Sequence, residues 1–510
     1  MDAVELTLFT SRIEAVCEEM GARLQCAAFS PNIKDRLDFS CAVFDAKGEL
    51  CAQAAHIPVH LGSMAFAMRD IVRKVEWHPG DMVVLNDPFF GGTHLPDVTL
   101  IAPLFVEGRL IAFVVNRAHH ADIGADSPGS MPISHSLQEE GLIIPPSKLL
   151  RGGSIDEDMF CHIIEHLQHE QQARGDFAAQ ISANQAGLAR LHELVTGLGC
   201  DAFGQGLVEL NDYAERLARD ALSDIPDGEY RFEDVMDDDG LGHVDLPIVA
   251  TVTVCGDNIA VDFTGTAAQT PGNINCPLSV AAAGVYYVFR CLMPAHTPAC
   301  AGSFRSIQLS APEGCLLNAK RPAAVAAGNV ETSSRVVDVV MGALVQAIPQ
   351  RVPAASHGSM NNIAMGSRGE QPWDYYETLG GGMGAGEQGG GLSAVQTHMT
   401  NTLNTPIEVL EMHYPLRIDR YAVREGSGGV GQRRGGDGLV REYEFLAPAS
   451  VTLLTERRRH RAWGAAGGEA GQAGENRYND KIVAGKISLQ VEAGDKISVS
   501  TPGGGGWGKP

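Results

Sequence analysis

Apolar residues recur at helical spacing between positions 2 and 28, at Leu6, Phe9, Ile13, Val16, Met20 and Leu24. They predict an amphipathic helix that opens the chain. The pattern then shortens to apolar runs bounded by turn residues. Asp38 starts a hairpin whose first strand ends at Phe44 and whose turn is Asp45-Ala46-Lys47-Gly48. A helix is predicted over 61–75 and a strand over 82–85, running into Asn86-Asp87. A second hairpin pairs 98–106 with 110–115 about Glu107-Gly108. Residues 155–223 read as polar helices, broken near Gly197-Leu198-Gly199 and again at Gly204. Strands return at 246–254 and 259–264, about Gly256-Asp257-Asn258, and apolar helices at 278–293 and 335–347. Between those helices, 322–332 reads as a loop running into the second. Residues 380–391 are too glycine-rich for a regular element, and short β runs follow at 439–446, 450–455, 482–489 and 496–500. The expected fold is mixed α/β (α+β) in several layers, divided into 1–150, 151–225, 226–434 and a glycine-rich β region over 435–510.

Bulk properties narrow the field of partners. A chain of 510 residues exceeds one hydrophobic core, and 44% hydrophobic with 20% charged residues is ordinary soluble globular protein. A net charge of −23 repels nucleic acid and anionic membrane, and no basic stripe with interleaved aromatics offsets it. None of the eleven cysteines forms a Cys-x-x-Cys pair. Those at 17, 26, 41, 51 and 291 sit among apolar residues, as buried thiols in a reducing compartment do. The start, Met1-Asp2-Ala3-Val4-Glu5-Leu6, lacks the basic and apolar runs of a signal peptide, and 279–289 is too short to span a bilayer. The expected location is the cytoplasm.

The chemistry concentrates in two acid–histidine clusters. One is Asn86-Asp87-Pro88-Phe89-Phe90-Gly91-Gly92-Thr93-His94-Leu95-Pro96-Asp97; the other is Asn116-Arg117-Ala118-His119-His120-Ala121-Asp122. Imidazole and carboxylate are ligand types for Zn²⁺, Mn²⁺ and Fe²⁺, and one apolar hairpin joins the clusters. Pro96 keeps His94 and Asp97 off a helix interior, so they belong to a turn; taken alone, such a pair also suits a surface histidine beside a turn-stabilising aspartate. Neighbouring strand residues point to opposite sides, so only one of His119 and His120 shares a site with His94. Asp38, at the start of its strand, is a candidate second carboxylate.

Other motifs carry less. His56-Ile57-Pro58-Val59-His60 has zincin-like spacing, but Glu is missing after the first His and Pro58 intervenes; it reads as a pocket-lining pair or as plain structure. His162, His166 and His169 read as one solvated helix face. Gly426-Ser427-Gly428-Gly429-Val430-Gly431 with Arg433-Arg434-Gly435-Gly436-Asp437-Gly438 is either an anion cradle or a glycine-rich turn. No phosphate-binding loop, no Gly-x-Gly-x-x-Gly placed between a strand and a helix and no Gly-x-Ser-x-Gly elbow is present.

The two clusters, together with Asp38-Phe39-Ser40-Cys41, His56-Ile57-Pro58-Val59-His60, Gly328-Asn329-Val330-Glu331-Thr332-Ser333-Ser334-Arg335, Thr400-Asn401-Thr402-Leu403-Asn404-Thr405-Pro406 and Thr501-Pro502-Gly503-Gly504-Gly505-Gly506, resemble the hydantoinase B / 5-oxoprolinase family along the whole chain. One departure is Gly124-Ala125 in place of Gly-Gly. The resemblance implies the metal subunit of an ATP-dependent cyclic amide hydrolase that opens a hydantoin, 5-oxoproline or lactam ring. It implies a divalent ion, zinc or manganese, on Asp38, His94, Asp97 and His119, which selects His119 over His120. ATP and magnesium would belong to a separate hydantoinase A-type subunit in a hetero-oligomer, in keeping with the missing phosphate loop. His120, Asp122 or His60 would then move the proton. Two alternatives remain: the metal subunit of an acetone- or acetophenone-type carboxylase, and a non-catalytic scaffold.

Overall fold

Asp2 closes a capping box at the start of helix Ala3–Ala27: its carboxylate accepts from the amides of Val4 and Glu5, and Glu5 accepts from the amide of Asp2. The computed structural model that this helix opens describes residues 1–54, 57–369 and 372–510. It is mixed α/β, with several mainly antiparallel sheets and helices in layers.

The first sheet has seven strands in the order Leu50–Gln53, Phe39–Asp45, Arg109–His119, Asp97–Val106, Met82–Leu85, Ser147–Arg151 and Ser154–Ile155, all antiparallel. Alternation assigns its two faces. Cys41, Val43, Val84, Leu100 and Val114 pack against helices Ala3–Ala27 and Glu170–Leu198. Ala42, Phe44, Val83, Ile101, Phe113 and Val115 pack against Met64, Met68 and Ile71 of helix Pro58–Lys74. Helix Leu278–Leu292 lies so close behind that last helix that a Cβ on Gly62 would sit 2.5 Å from Ala283 Cα.

A four-stranded sheet, Ile307–Ser310, Asn258–Asp262, Val244–Cys255 and Gly228–Asp238, shares the largest core with helices Leu278–Leu292 and Ser333–Leu344. Two further sheets pack face to face. Ile363, Met365, Val451 and Leu453 of one meet Leu439, Tyr443, Ile497 and Val499 of the other.

Several expectations change. Helix Cys200–Leu222 runs straight through Gly204, which has open space around it, so the glycine does not break it. Residues Gly328–Thr332 form a π-helical turn that leads directly into helix Ser333–Leu344. Cys17, Cys41 and Cys51 are buried, but Cys26 and Cys291 are exposed, each on the outer side of its helix. Hairpin Asn362–Ser367/Trp373–Glu377 and strand Leu416–Arg424 form where the sequence pattern marks no element.

The glycine-rich segments form a bundle of extended backbones without helix or ladder. Gly382 N donates to Pro502 O, Gly436 N to Met383 O, Gly504 N to Gly436 O and Gly429 N to Gly504 O, at 2.8–3.0 Å. A Cβ on Gly504 would lie 2.1 Å from Met383 O, so only glycine permits this approach. The suspected anion cradle is filled by the chain itself: Asp437 Oδ1 accepts from Gly428 N at 2.7 Å and from Arg434 Nη2 at 3.2 Å.

Candidate metal centre

The parity of one hairpin aims the site. In strand Arg109–His119, Phe113, Val115 and Arg117 face helix Pro58–Lys74, with Arg117 donating to Ser63 Oγ at 2.7 Å. His119 continues that face. Val114 and Asn116 face helix Glu170–Leu198, where Asn116 donates to Asn184 and Gln180. Strand pairing sets Asp97 directly opposite His119. His94 enters from the loop before Asp97, its Nδ1 held 3.3 Å from Ala326 O.

Ligand atoms of His94, Asp97 and His119 all lie within 4.8 Å of one another, and all three residues are buried. Asp97 Oδ1 is 3.1 Å from His94 Nε2 and 3.2 Å from His119 Nδ1. On the other side, Asp97 Oδ2 accepts from Thr93 Oγ1 at 2.5 Å and from Asn329 Nδ2 at 3.3 Å, and lies 3.2 Å from His60 Nε2. His119 stacks on Tyr376 at 4.6 Å between ring centres. Asp38 lines the same cavity but stands outside the tight group of three, beside the Arg36 guanidinium at 3.9 Å. The cavity holds about 20 Å³, room for an ion or a water. Its far wall is Tyr376, Thr378, Met399, Thr400 and Thr402.

The donor set fits a divalent cation. Nε2 of His119 is buried without a hydrogen-bond partner among the described residues, and Nε2 of His94, though 3.1 Å from Asp97 Oδ1, is not aligned for a hydrogen bond with it, an arrangement that is costly unless something accepts their lone pairs. Burial alone would push the Asp97 carboxyl up. The imidazoles of His94 and His60, with hydrogen bonds from His119 and His60, hold it well below the usual carboxylate range. Burial likewise disfavours a charged His94, but Asp97 outweighs it and raises the ring's pKa, whereas burial prevails at His119 and lowers it. Two imidazoles and one carboxylate are three donors, the number that catalytic zinc sites take from the protein, where closed structural sites take four.

The other candidates separate. His60 is brought to the site, but both its ring nitrogens are engaged, Nδ1 with Ser40 Oγ at 3.3 Å and Nε2 with Asp97. His120 is buried on the opposite face, its Nε2 3.0 Å from Gln180 Oε1 and its ring against Phe177. Asp122 ties loops together, accepting from the amides of Gly124, Gln168 and His169. Neither His120 nor Asp122 is among the residues that line the cavity. His56 lies outside the described residues; helix Pro58–Lys74 begins two positions after it. His162, His166 and His169 do not share a helix, because that helix ends at Ile164; His169 instead pairs with Asp374 at 2.6 Å. Sequence reasoning misses Thr93, Asn329 and Tyr376. Thr93 adjoins His94, but nothing in the local pattern signals the other two.

Residues 2–510 match the family model described as hydantoinase B/oxoprolinase. The chain belongs to the hydantoinase B/oxoprolinase family. Within it, the chain is 39% identical to 5-oxoprolinase 1 of Arabidopsis thaliana over 99% of its own length, which spans only 42% of that protein. It is 32% identical to a putative B-type subunit of a D-/L-hydantoinase from Pseudomonas sp. (strain NS671), covering all of this chain and 90% of the other. The hydantoinase B/oxoprolinase fold described here also superimposes on an ATP-dependent caprolactamase from Pseudomonas jessenii, with a TM-score of 0.92, 29% identity and coverage of 100% and 92% of the two chains. A nucleotide-free acetone carboxylase shares the fold, with a TM-score of 0.88 at 17% identity and coverage of 99% and 76%.

Proposed function

We propose that this chain is the metal-bearing subunit of an ATP-dependent cyclic amide hydrolase, acting with a hydantoinase A-type subunit that holds ATP and magnesium. The observation that carries the reading is the buried group His94, Asp97 and His119 with two imidazole nitrogens lacking a hydrogen-bond partner among the described residues. The relatives named as 5-oxoprolinase, D-/L-hydantoinase and caprolactamase support the substrate class.

Ring opening of an unstrained lactam or imide needs a driving force, which phosphorylation of the carbonyl oxygen by the partner supplies. Water adds to the carbonyl carbon, the ring C–N bond breaks, and the nitrogen leaves with a proton. The acyl phosphate that remains is hydrolysed by a second water. A divalent ion, when bound, supplies Lewis acidity and lowers the pKa of a water towards neutrality. His94, Asp97 and His119 would hold that ion, with Asp38 as a fourth donor from the cavity wall. Thr378, Thr400 and Thr402 line the cavity beside these residues, the Thr378 and Thr402 hydroxyls bonded to each other at 2.7 Å, and the surrounding burial keeps bulk water out.

The test is co-expression with an A-type subunit, followed by metal analysis and assays of 5-oxoproline, hydantoin and caprolactam with ATP. Ring opening that depends on ATP and disappears with the metal in His94→Ala is the expected result. Incorporation of labelled bicarbonate in place of hydrolysis would make this a carboxylase subunit, and a wild-type complex without metal would make it a scaffold.

A further inference from the structure

The two oxygens of Asp97 live in different surroundings. Oδ2 meets three potential donors, Thr93 Oγ1 at 2.5 Å, His60 Nε2 at 3.2 Å and Asn329 Nδ2 at 3.3 Å. A carboxylate oxygen has two lone-pair sites, so these donors saturate it. Among the described residues, the polar neighbours of Oδ1 are His94 Nε2 at 3.1 Å and His119 Nδ1 at 3.2 Å. The three donors come from separate parts of the chain. Thr93 belongs to the loop that carries His94, His60 to the first turn of helix Pro58–Lys74, and Asn329 to the π-helical turn Gly328–Thr332.

That turn is held rigidly. A Cβ on Gly328 would lie 1.8 Å from Asn275 O, and Thr332 Oγ1 donates to Ile274 O at 2.5 Å. Its Glu331 accepts from Asn362 Nδ2 at 2.6 Å, and Asn362 Oδ1 accepts from the hydroxyl of Tyr376, the ring stacked on His119. One rigid turn therefore braces Asp97 directly and His119 through two intermediaries. An extra residue in a helical turn often marks a functional site.

We propose that Thr93 and Asn329 are positioning residues which restrict Asp97 to binding a cation through Oδ1 alone, leaving an open position for chemistry. The proposal rests on the metal reading above. With Oδ2 released, the carboxylate swings to offer both oxygens and fills that position.

The test uses the full chain, stripped with a chelator and titrated with Zn²⁺ against a competing chromophoric chelator, then loaded with Co²⁺ for X-ray absorption and visible spectra. Thr93→Val and Asn329→Ala should each weaken Zn²⁺ binding by about 10–100-fold, and Thr93→Ser should restore it. The double variant Thr93→Val/Asn329→Ala should gain one oxygen neighbour around Co²⁺, with a changed visible spectrum. Melting curves of the metal-free chains separate these effects from a loss of folding, and Thr93→Ser supplies a conservative substitution for the comparison. Wild type that loads one metal, with variants of unchanged affinity and unchanged Co²⁺ spectrum, would overturn the positioning role. Wild type that loads none would overturn the metal reading itself.

Discussion

His119 and His120 are adjacent, both buried, and turned to opposite sides of one strand end. Their variants should part accordingly. His119→Ala should lose metal and turnover together and lower the melting temperature, since a ligand at 100 times its dissociation constant stabilises the fold by ~2.7 kcal/mol. His120→Ala should keep the metal and destabilise the chain by about 1–3 kcal/mol, because it leaves Gln180 Oε1 without a partner. Exposed His162→Ala should do neither; metal content and melting curves on the three proteins decide the assignment. A second residue-scale expectation concerns pH. Burial first, then the nearby Glu456 carboxylate, pushes Glu331 up to about 8. A carboxyl whose folded pKa exceeds its unfolded one binds its proton more tightly when folded. Its contribution to stability is complete below the unfolded pKa and falls away as pH rises towards about 8, by up to ~1.4 kcal/mol per pH unit. Glu331→Gln should therefore flatten the decline in melting temperature between acidic and mildly alkaline buffer.

Helix Pro58–Lys74 carries His60 to the site and Ser63 to Arg117 while its Gly62 lies against Ala283. Gly62→Leu should wedge the two helices apart at a cost of about 1–3 kcal/mol. Gly204→Ala, in the open interior of helix Cys200–Leu222, should stabilise by ~1 kcal/mol; denaturant titration of the two variants gives opposite signs. Elements of this kind are also the readable ones. The opening helix, the hairpins about Gly48 and Gly108, and strand Met82–Leu85 carry their periodicity and their turn residues locally, and each forms near its expected span. Strand Leu416–Arg424 escapes because Arg417, Asp419, Arg420 and Arg424 interrupt it; it lies at a sheet edge, where pairing rather than an apolar face defines it. Half of the site is legible for the same reason. His94, Asp97 and His119 sit on one hairpin, whereas Asn329 and Tyr376 arrive from more than two hundred residues away through packing that no local pattern encodes.

At the scale of the whole molecule, the candidate metal centre lies where the first sheet meets the π-helical turn and the hairpin that carries Tyr376. With no phosphate-binding loop in the sequence, the chain alone should hydrolyse no ATP in a coupled assay; ring opening coupled to ATP by this polypeptide without a partner would defeat the division of labour. Gly504→Val should open the glycine bundle and leave little folded protein, measured as soluble yield and loss of a cooperative melt, because its side chain would collide with Met383 O. That bundle also dictates an order of events during synthesis. Residues 501–507 run between segments 382–392 and 428–436, which emerge from the ribosome at least 65 residues earlier. The earlier segments pair with each other, as Gly436 N does with Met383 O, but the amides of Gly382 and Gly429 wait for Pro502 and Gly504 until this late strand is translated. At roughly 5–20 residues per second, the interval lasts seconds, and because strand Lys496–Ser500, the middle strand of the neighbouring five-stranded sheet, is translated just before residues 501–507, that sheet and the bundle close together.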